Sequence, residues 1–256
     1  MSKLNLNVAE ATRLHREGNA SQLHGSVDSK LVKAAVYGAN DGIVTTFAVV
    51  AGVAGAGLGP TIVLILGFAN LIADGLSMGI GDFLGERSEQ RFKKYQYSIE
   101  EWEVKNIPKE ESKELTAFFA QRGVAAADTK SIVSTIKKYP KLWAELGFID
   151  EMGSTLEEEP NLWKSGVVTF LAFVAAGALP LMPYVLEFFG VSLAARNQFI
   201  LSGTATAVTM FTIGSLRTVV TKGRWWWNGL EMLGIGAIAA VGAYLTGAFV
   251  KHLTGF

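Results

Sequence analysis

The run Asn70-Leu-Ile-Ala-Asp74-Gly-Leu-Ser77-Met78-Gly-Ile-Gly81-Asp82-Phe-Leu-Gly85-Glu86-Arg-Ser-Glu89 decides how this chain is read. It closes a stretch that begins at Gly42 and carries no charge, so its carboxylates arrive where a membrane-crossing helix should still lie in hydrocarbon. At helical spacing Asn70, Asp74, Ser77, Met78, Gly81 and Asp82 recur three or four residues apart and form one stripe. A charged group near the bilayer centre costs roughly 2.5 to 3.5 kcal/mol on the translocon scale, so such a stripe faces a polar path or a partner helix. Two acids, a thioether and several small residues on one face make a candidate site.

Working outward, half of the 256 residues are apolar and only 18% are charged, against the usual quarter. The charges crowd into the N-terminal arm and into residues 86–164, leaving long stretches nearly free of them. That profile predicts an all-α, polytopic membrane protein with five transmembrane helices and a helical insert between the second and third. The expected organisation is an arm at residues 1–33, helices 1 and 2 at 34–85, the insert at 86–164, and helices 3 to 5 at 165–256. A net charge of zero gives no grip on nucleic acid, and the lack of cysteine leaves methionine as the only soft metal ligand. The N-terminus carries acids as well as bases, unlike a cleaved signal peptide, so insertion is expected to rely on the internal spans.

In chain order, an amphipathic helix is expected before Gly18. His15 and His24 in the arm lack Glu-x-x-His or His-x-x-x-His spacing and read as solvated histidines. The first span, Ala34 to about Leu58, holds Asp41 about two turns inside, and Gly38 and Gly42 let another helix approach beside it. Gly-rich residues before Pro60 mark a turn, and the second span runs from Thr61 to about Gly85, with Gly75-xxx-Gly79 and Gly81-xxx-Gly85 as packing pairs. A polar helix to about Asn106 continues it. Further insert helices should start at Pro108, at a cap on Asp128 or Thr129, and at Pro140. Glu100 with Glu103, and Glu111 with Glu114, are i,i+3 pairs that repel unless cations neutralise them, and by spacing a solvated face and a metal site remain equally open. Pro180 and Pro183 should kink or end the third span. Spans four and five are expected at about Leu193–Leu216 and Gly229–Val250, separated by a basic turn of Arg217, Lys222 and Arg224 and a belt of Trp225, Trp226 and Trp227. Glu231 either snorkels toward headgroups or supplies a proton-binding carboxylate. The basic residues put the N-terminus and the insert in the cytoplasm and the C-terminus outside.

The runs Gly-Ala-Asn-Asp-Gly-Ile-Val-Thr (Gly38 to Thr45), Ser-Met-Gly (Ser77 to Gly79) with Ser88-Glu89, and Leu-Pro-Leu-Met-Pro-Tyr (Leu179 to Tyr184) resemble the vacuolar iron transporter family in their joint order. The resemblance implies a homodimeric, proton-coupled exporter of cytosolic Fe2+ and often Mn2+, with H+ as coupling ion and no prosthetic group. It places the metal on Asp41 and Met78 in the spans and on Glu100, Glu103, Glu111, Glu114 and Glu151 in the insert. Thr45, Asn70, Asp74 and Asp82 complete the expected transport pathway, and Glu86 is a candidate for its cytoplasmic entrance. Two positions depart from the family pattern. Asn70 stands where a glutamate is common, which makes Asp74 the candidate substitute, and a methionine pair of plant members is replaced by Gly147 and Phe148.

The expected function is therefore a transporter rather than an enzyme, lying in lipid, in the inner membrane of a prokaryote or the vacuolar membrane of a eukaryote. Metal and proton would compete for the same carboxylates, which suffices for antiport. A membrane ferroxidase or iron-storage protein is the rival, but none of the three histidines follows a glutamate by three residues as ferritin-like sites require. A structural membrane protein whose insert only docks a partner is the third reading.

Overall fold

A computed structural model describes residues 8–17, 29–156, 161–191, 193–218 and 223–255. His24 and Lys222 lie outside the described residues. All regular structure among the described residues is helical: α1 Val8–Arg16, α2 Ser29–Ala56, α3 Pro60–Asn106, α4 Pro108–Gln121, α5 Ala126–Ile136, α6 Pro140–Met152, α7 Trp163–Ala178, α8 Met182–Phe188, α9 Ala195–Leu216 and α10 Trp225–Thr254. Among the described residues, five stretches are long and apolar enough to cross a membrane: Lys30–Ala56, Pro60–Asn106, Trp163–Glu187, Ala195–Leu216 and Trp225–Thr254. The chain forms two compact units, residues 1–80 with 164–256, and residues 81–163.

In the first unit, α2 ends where Gly57 adopts φ 70°, which leaves Gly57 N–H to the carbonyl of Ala54 (3.0 Å) and Leu58 N–H to that of Val53 (3.1 Å). Glycine takes this left-handed turn without a Cβ clash, and the paired bonds satisfy carbonyls that a helix end otherwise leaves bare. Pro60 then opens α3 at a position where its missing N–H costs nothing. α3 has 47 residues, roughly 70 Å at 1.5 Å per residue, more than twice a hydrocarbon core of about 30 Å. The second span and the polar helix after it are thus one helix. Pro180 and Pro183 break the third span as expected: α7 gives way to a short tight turn, Leu179–Leu181, before α8 resumes. The hydroxyl of Ser202 donates to the freed carbonyl of Pro180 at 2.7 Å.

The core of this unit is Val50, Val53, Val63, Leu64, Leu71, Phe173, Leu181 and Tyr184. Ile65, Phe68, Ile72, Leu76 and Ile80 of α3 point outward and are exposed, a continuous apolar face suited to hydrocarbon rather than water. The last helix starts earlier than its charge pattern suggests, so the three tryptophans form its first turn. Glu231 pairs with Arg217 at 2.8 Å near the entrance of the last helix.

The second unit packs the tail of α3 with α4, α5 and α6 around Val104, Leu115, Phe118, Val133, Ile136, Trp143 and Ala144. Prolines open α4 and α6 where the sequence places them. α5 differs from expectation. It starts at Ala126, and no side chain caps it, because Asp128 and Thr129 already lie inside the first turn. Thr129 is buried, and its hydroxyl turns back to the carbonyl of Val124 at 3.3 Å.

Candidate functional site

Two groups of acids stand out, one in each unit. The first lies on the seam of α2, α3 and α7. A methyl group at Gly38 or Gly42 of α2 would overlap the backbone carbonyl of Thr169 or Phe173, so α2 and α7 meet backbone to backbone. α3 meets the same helix through its own pair: a Cβ at Gly79 would sit 2.7 Å from the carbonyl of Gly166, and one at Gly75 would sit 3.3 Å from the ring of Phe173. Asp41 precedes Gly42 and Asp74 precedes Gly75, so the glycine contacts carry both carboxylates to the flank of Phe173. Both are half-buried, and the charge of Asp74 bears on Asp41. By contrast, among the described residues nothing lies within 4 Å of where a Cβ on Gly81 or Gly85 would be, so that pair faces open space there.

The stripe that began the reading splits along its length. Asn70, Asp74, Met78 and Asp82 are half-buried at four-residue intervals, whereas Ser77 and Gly81 are exposed. Met78 packs against the core that contains Leu71 and Phe173. Asn70 Nδ2 and Thr46 Oγ1 are buried without a hydrogen-bond partner. A buried orphan costs about 1 to 3 kcal/mol, and such groups mark places where a polar guest can stand. Thr45 is different, because its hydroxyl already donates to the carbonyl of Asp41 at 2.8 Å. Thr46, absent from the sequence reading, is the better-placed threonine. The signal for it was a polar residue one turn beyond Gly42 in an otherwise apolar span.

The second group gathers Glu100 and Glu103 from α3, Glu111 and Glu114 from α4, and Glu151 from α6. Glu100 and Glu111 are only 3% and 4% exposed, which is unusual for glutamate. Burial, then a hydrogen bond to Glu151 and the charges of Glu151, Glu111 and Glu103, push Glu100 up to about 8. Burial and the charges of Glu114, Glu103 and Glu151 push Glu111 up to about 7. Glu103 is raised as well, by burial and by Glu151 and Glu114. The five glutamates named from sequence are thus electrostatic neighbours, and a carboxyl–carboxyl hydrogen bond requires a shared proton. Among the described residues no three His, Cys, Asp or Glu side chains close round one point as a metal cage. Within the group, Glu100 and Glu111 are the two carboxyls held furthest toward their neutral form.

Gly147 has a role the sequence did not reveal. A Cβ there would collide with Glu100 Oε2, so the bare backbone of α6 makes room for the buried carboxylate. Phe148 beside it is fully buried, edge-on to Tyr97 with ring centroids 6.1 Å apart. His15 in α1 and His252 near the end of α10 are both exposed.

These features define a multi-pass, all-helical membrane protein with carboxylates set into its spans and a second, acidic helical unit. The chain belongs to the VIT family, whose profile matches residues 32–248. It is 36% identical over 213 residues to a vacuolar iron transporter of Toxoplasma gondii, covering 81% of this chain and 70% of that one. A vacuolar iron transporter of Plasmodium berghei is 30% identical over 238 residues, covering 91% of this chain and 86% of its own length. Vacuolar iron transporter 1 of Arabidopsis thaliana is 27% identical over 223 residues, with 87% of each chain covered.

Proposed function

We infer that this protein moves Fe2+, and also Mn2+, out of the cytoplasm in exchange for protons. What supports the reading is that Asp41 and Asp74 stand on two spans that both pack on α7, near enough for the charge of Asp74 to bear on Asp41, with Met78 one helical turn from Asp74 along α3. The names of the relatives support iron as the cargo. Two carboxylates neutralise a divalent ion, and a thioether favours Fe2+ over Mg2+ and Ca2+, which prefer oxygen-only shells. Asp74 takes the place of the acid missing at Asn70, and Asn70 and Thr46 supply polar atoms one turn along.

The second acidic unit collects the ion on the cytoplasmic side. Glu100, Glu103, Glu111, Glu114 and Glu151 bind the cation together; Glu100 and Glu111, held up to about 8 and about 7 by burial and by the acids around them, give up their protons as it binds, so capture and proton release are one event. Asp82 and Glu86 lie on α3 between this cluster and Asp74 and guide the ion inward. The reading includes a homodimer, with the exposed apolar face of α3 available to a second copy.

The test is Fe2+ uptake into proteoliposomes with an imposed pH gradient. Uptake that follows the gradient, and falls to background in Asp41→Ala and Asp74→Ala, is expected. Uptake by both variants at the parent rate removes the site assignment, and uptake indifferent to the gradient removes the coupling.

A further inference from the structure

The broken part of the third span fills the seam between the start of α3 and its acids. Leu181, in the tight turn, and Tyr184, in α8, are 1% and 3% exposed and share a core with Val50 and Val53 of α2 and with Val63, Leu64 and Leu71 of α3. A Cβ at Gly67 would lie 2.5 Å from Leu181 Cδ2, so Leu181 seats its branched end against bare α3 backbone. Nearer the start of α3, Pro60, Thr61 and Leu64 line a cavity of about 250 Å3 together with Glu187, one turn past Tyr184. Cavity wall, Leu181 contact and Asp74 therefore follow in that order along α3, with the contact at Gly67 roughly 10 Å short of Asp74 at 1.5 Å per residue.

The segment that carries this plug is weakly joined to its own span. Pro180 and Pro183 have no N–H to donate, so two rungs of the backbone ladder between α7 and α8 are missing. Two bonds from α9 hold the segment instead: the Ser202 hydroxyl on the carbonyl of Pro180, and Gln198 Nε2 on Glu187 Oε2, each at 2.7 Å. Ser202 and Gln198 are completely buried, whereas Glu187 is exposed. The Glu187 bond is thus the one that water can reach and replace.

We propose that residues 179–188 are the release gate of the spans, with Leu181 and Tyr184 as its plug and the bond from Gln198 to Glu187 as its latch. An apolar plug between a cavity and half-buried carboxylates stops an ion, because charge is costly to move through apolar surroundings. Turning α8 about the proline break withdraws the plug and opens the cavity toward Asp74 and Asp41. The contacts of Gly38 and Gly42 with Thr169 and Phe173 lie before the break, so α2 stays seated on α7 throughout. Passage of the ion outward through this gate rests on the export reading.

The chain has no cysteine, so an introduced thiol reports access directly. Val50→Cys changes side-chain volume little and places the thiol at full burial in the core that holds the plug. The full chain is reconstituted in liposomes, and a membrane-impermeant methanethiosulfonate is applied at the face that carries Glu187. Slow labelling is expected for Val50→Cys alone, and labelling about 10-fold faster when Glu187→Ala is added, the shift in population that one lost hydrogen bond gives. Equal labelling rates overturn the proposal. In a second arm, Glu187→Cys with Gln198→Cys is joined by a short bifunctional methanethiosulfonate and assayed for Mn2+ transport. Transport is expected to stop on joining and to return on reduction; transport at the unjoined rate overturns the gate. If the unjoined protein moves no ion while Glu187→Ala still exposes the thiol of Val50→Cys, the gate stands and the export reading fails.

Discussion

At the scale of single residues, Met78 carries chemistry and packing at once, and the two separate by substitution. Met78→Ala leaves a hole beside Leu71 and Phe173, at a cost of about 2 to 5 kcal/mol, and confounds stability with selectivity. Met78→Leu keeps the volume and removes the sulfur. It is expected to fold normally and to lose discrimination of Fe2+ against Mg2+, measured by competition in the transport assay; unchanged discrimination would detach the thioether from selectivity. Gly147 makes the complementary case in the second unit. A methyl there drives Glu100 out of its buried position, so Gly147→Ala is expected to weaken divalent binding by about 10- to 100-fold, the range seen when groups that orient metal ligands are altered. Calorimetric titration of the full chain with Mn2+ checks it.

Helix against helix, the glycines divide into two kinds that look alike in sequence. Gly42 and Gly81 both begin or end a small-xxx-small pattern, yet only Gly42 touches another backbone. Gly42→Ala must separate α2 from α7, at about 1 to 3 kcal/mol and with displacement of Asp41. Gly81→Ala adds a methyl in open space inside a helix and is expected to gain about 0.5 to 1 kcal/mol from helix propensity. Thermal melting of the two variants in detergent gives opposite signs if the seam is as described. The spacing alone shows that a neighbour can come close. Which neighbour comes, and at which pair, depends on the path of α7.

Taking the molecule whole, its acids make stability and cargo respond to pH together. Glu100 and Glu111 ordinarily titrate near 4.5 but are held to about 8 and about 7 in the fold. Over that range the folded state binds more protons than the unfolded state, so stability is greatest below about pH 4.5 as far as these groups go, and is lost as the pH rises through 7 and 8. The metal-free protein is expected to melt at a lower temperature at pH 8.5 than at pH 6.5, and Mn2+ to close most of that gap. The same protons oppose the cation, so Mn2+ affinity rises over the same interval and binding releases protons into a weakly buffered solution. A melting temperature that climbs with pH without metal would show that the glutamates are not held in their neutral form.

The sequence by itself determined the elements and the residue types available for chemistry. Local physics suffices for these: hydrocarbon selects apolar runs of about 20 residues, prolines open and break helices, and charges inside a span are too costly to be accidental. It therefore placed Asp41, Asp74 and the five glutamates on their helices, and the missing cysteines excluded thiolate sites. Only the tertiary structure decided which face meets which. The half-buried line through Asn70, Asp74, Met78 and Asp82 parted from exposed Ser77 and Gly81, the backbone seam with α7 formed at Gly42 and not Gly81, and Gly147 yielded its space to Glu100. Gln198 went unnoticed for the same reason, since a polar side chain near a helix start gains meaning only when a carboxylate 11 residues away folds back against it. A helical repeat determines which residues share a face, but packing against distant chain determines whether that face is a wall, a seam or a site.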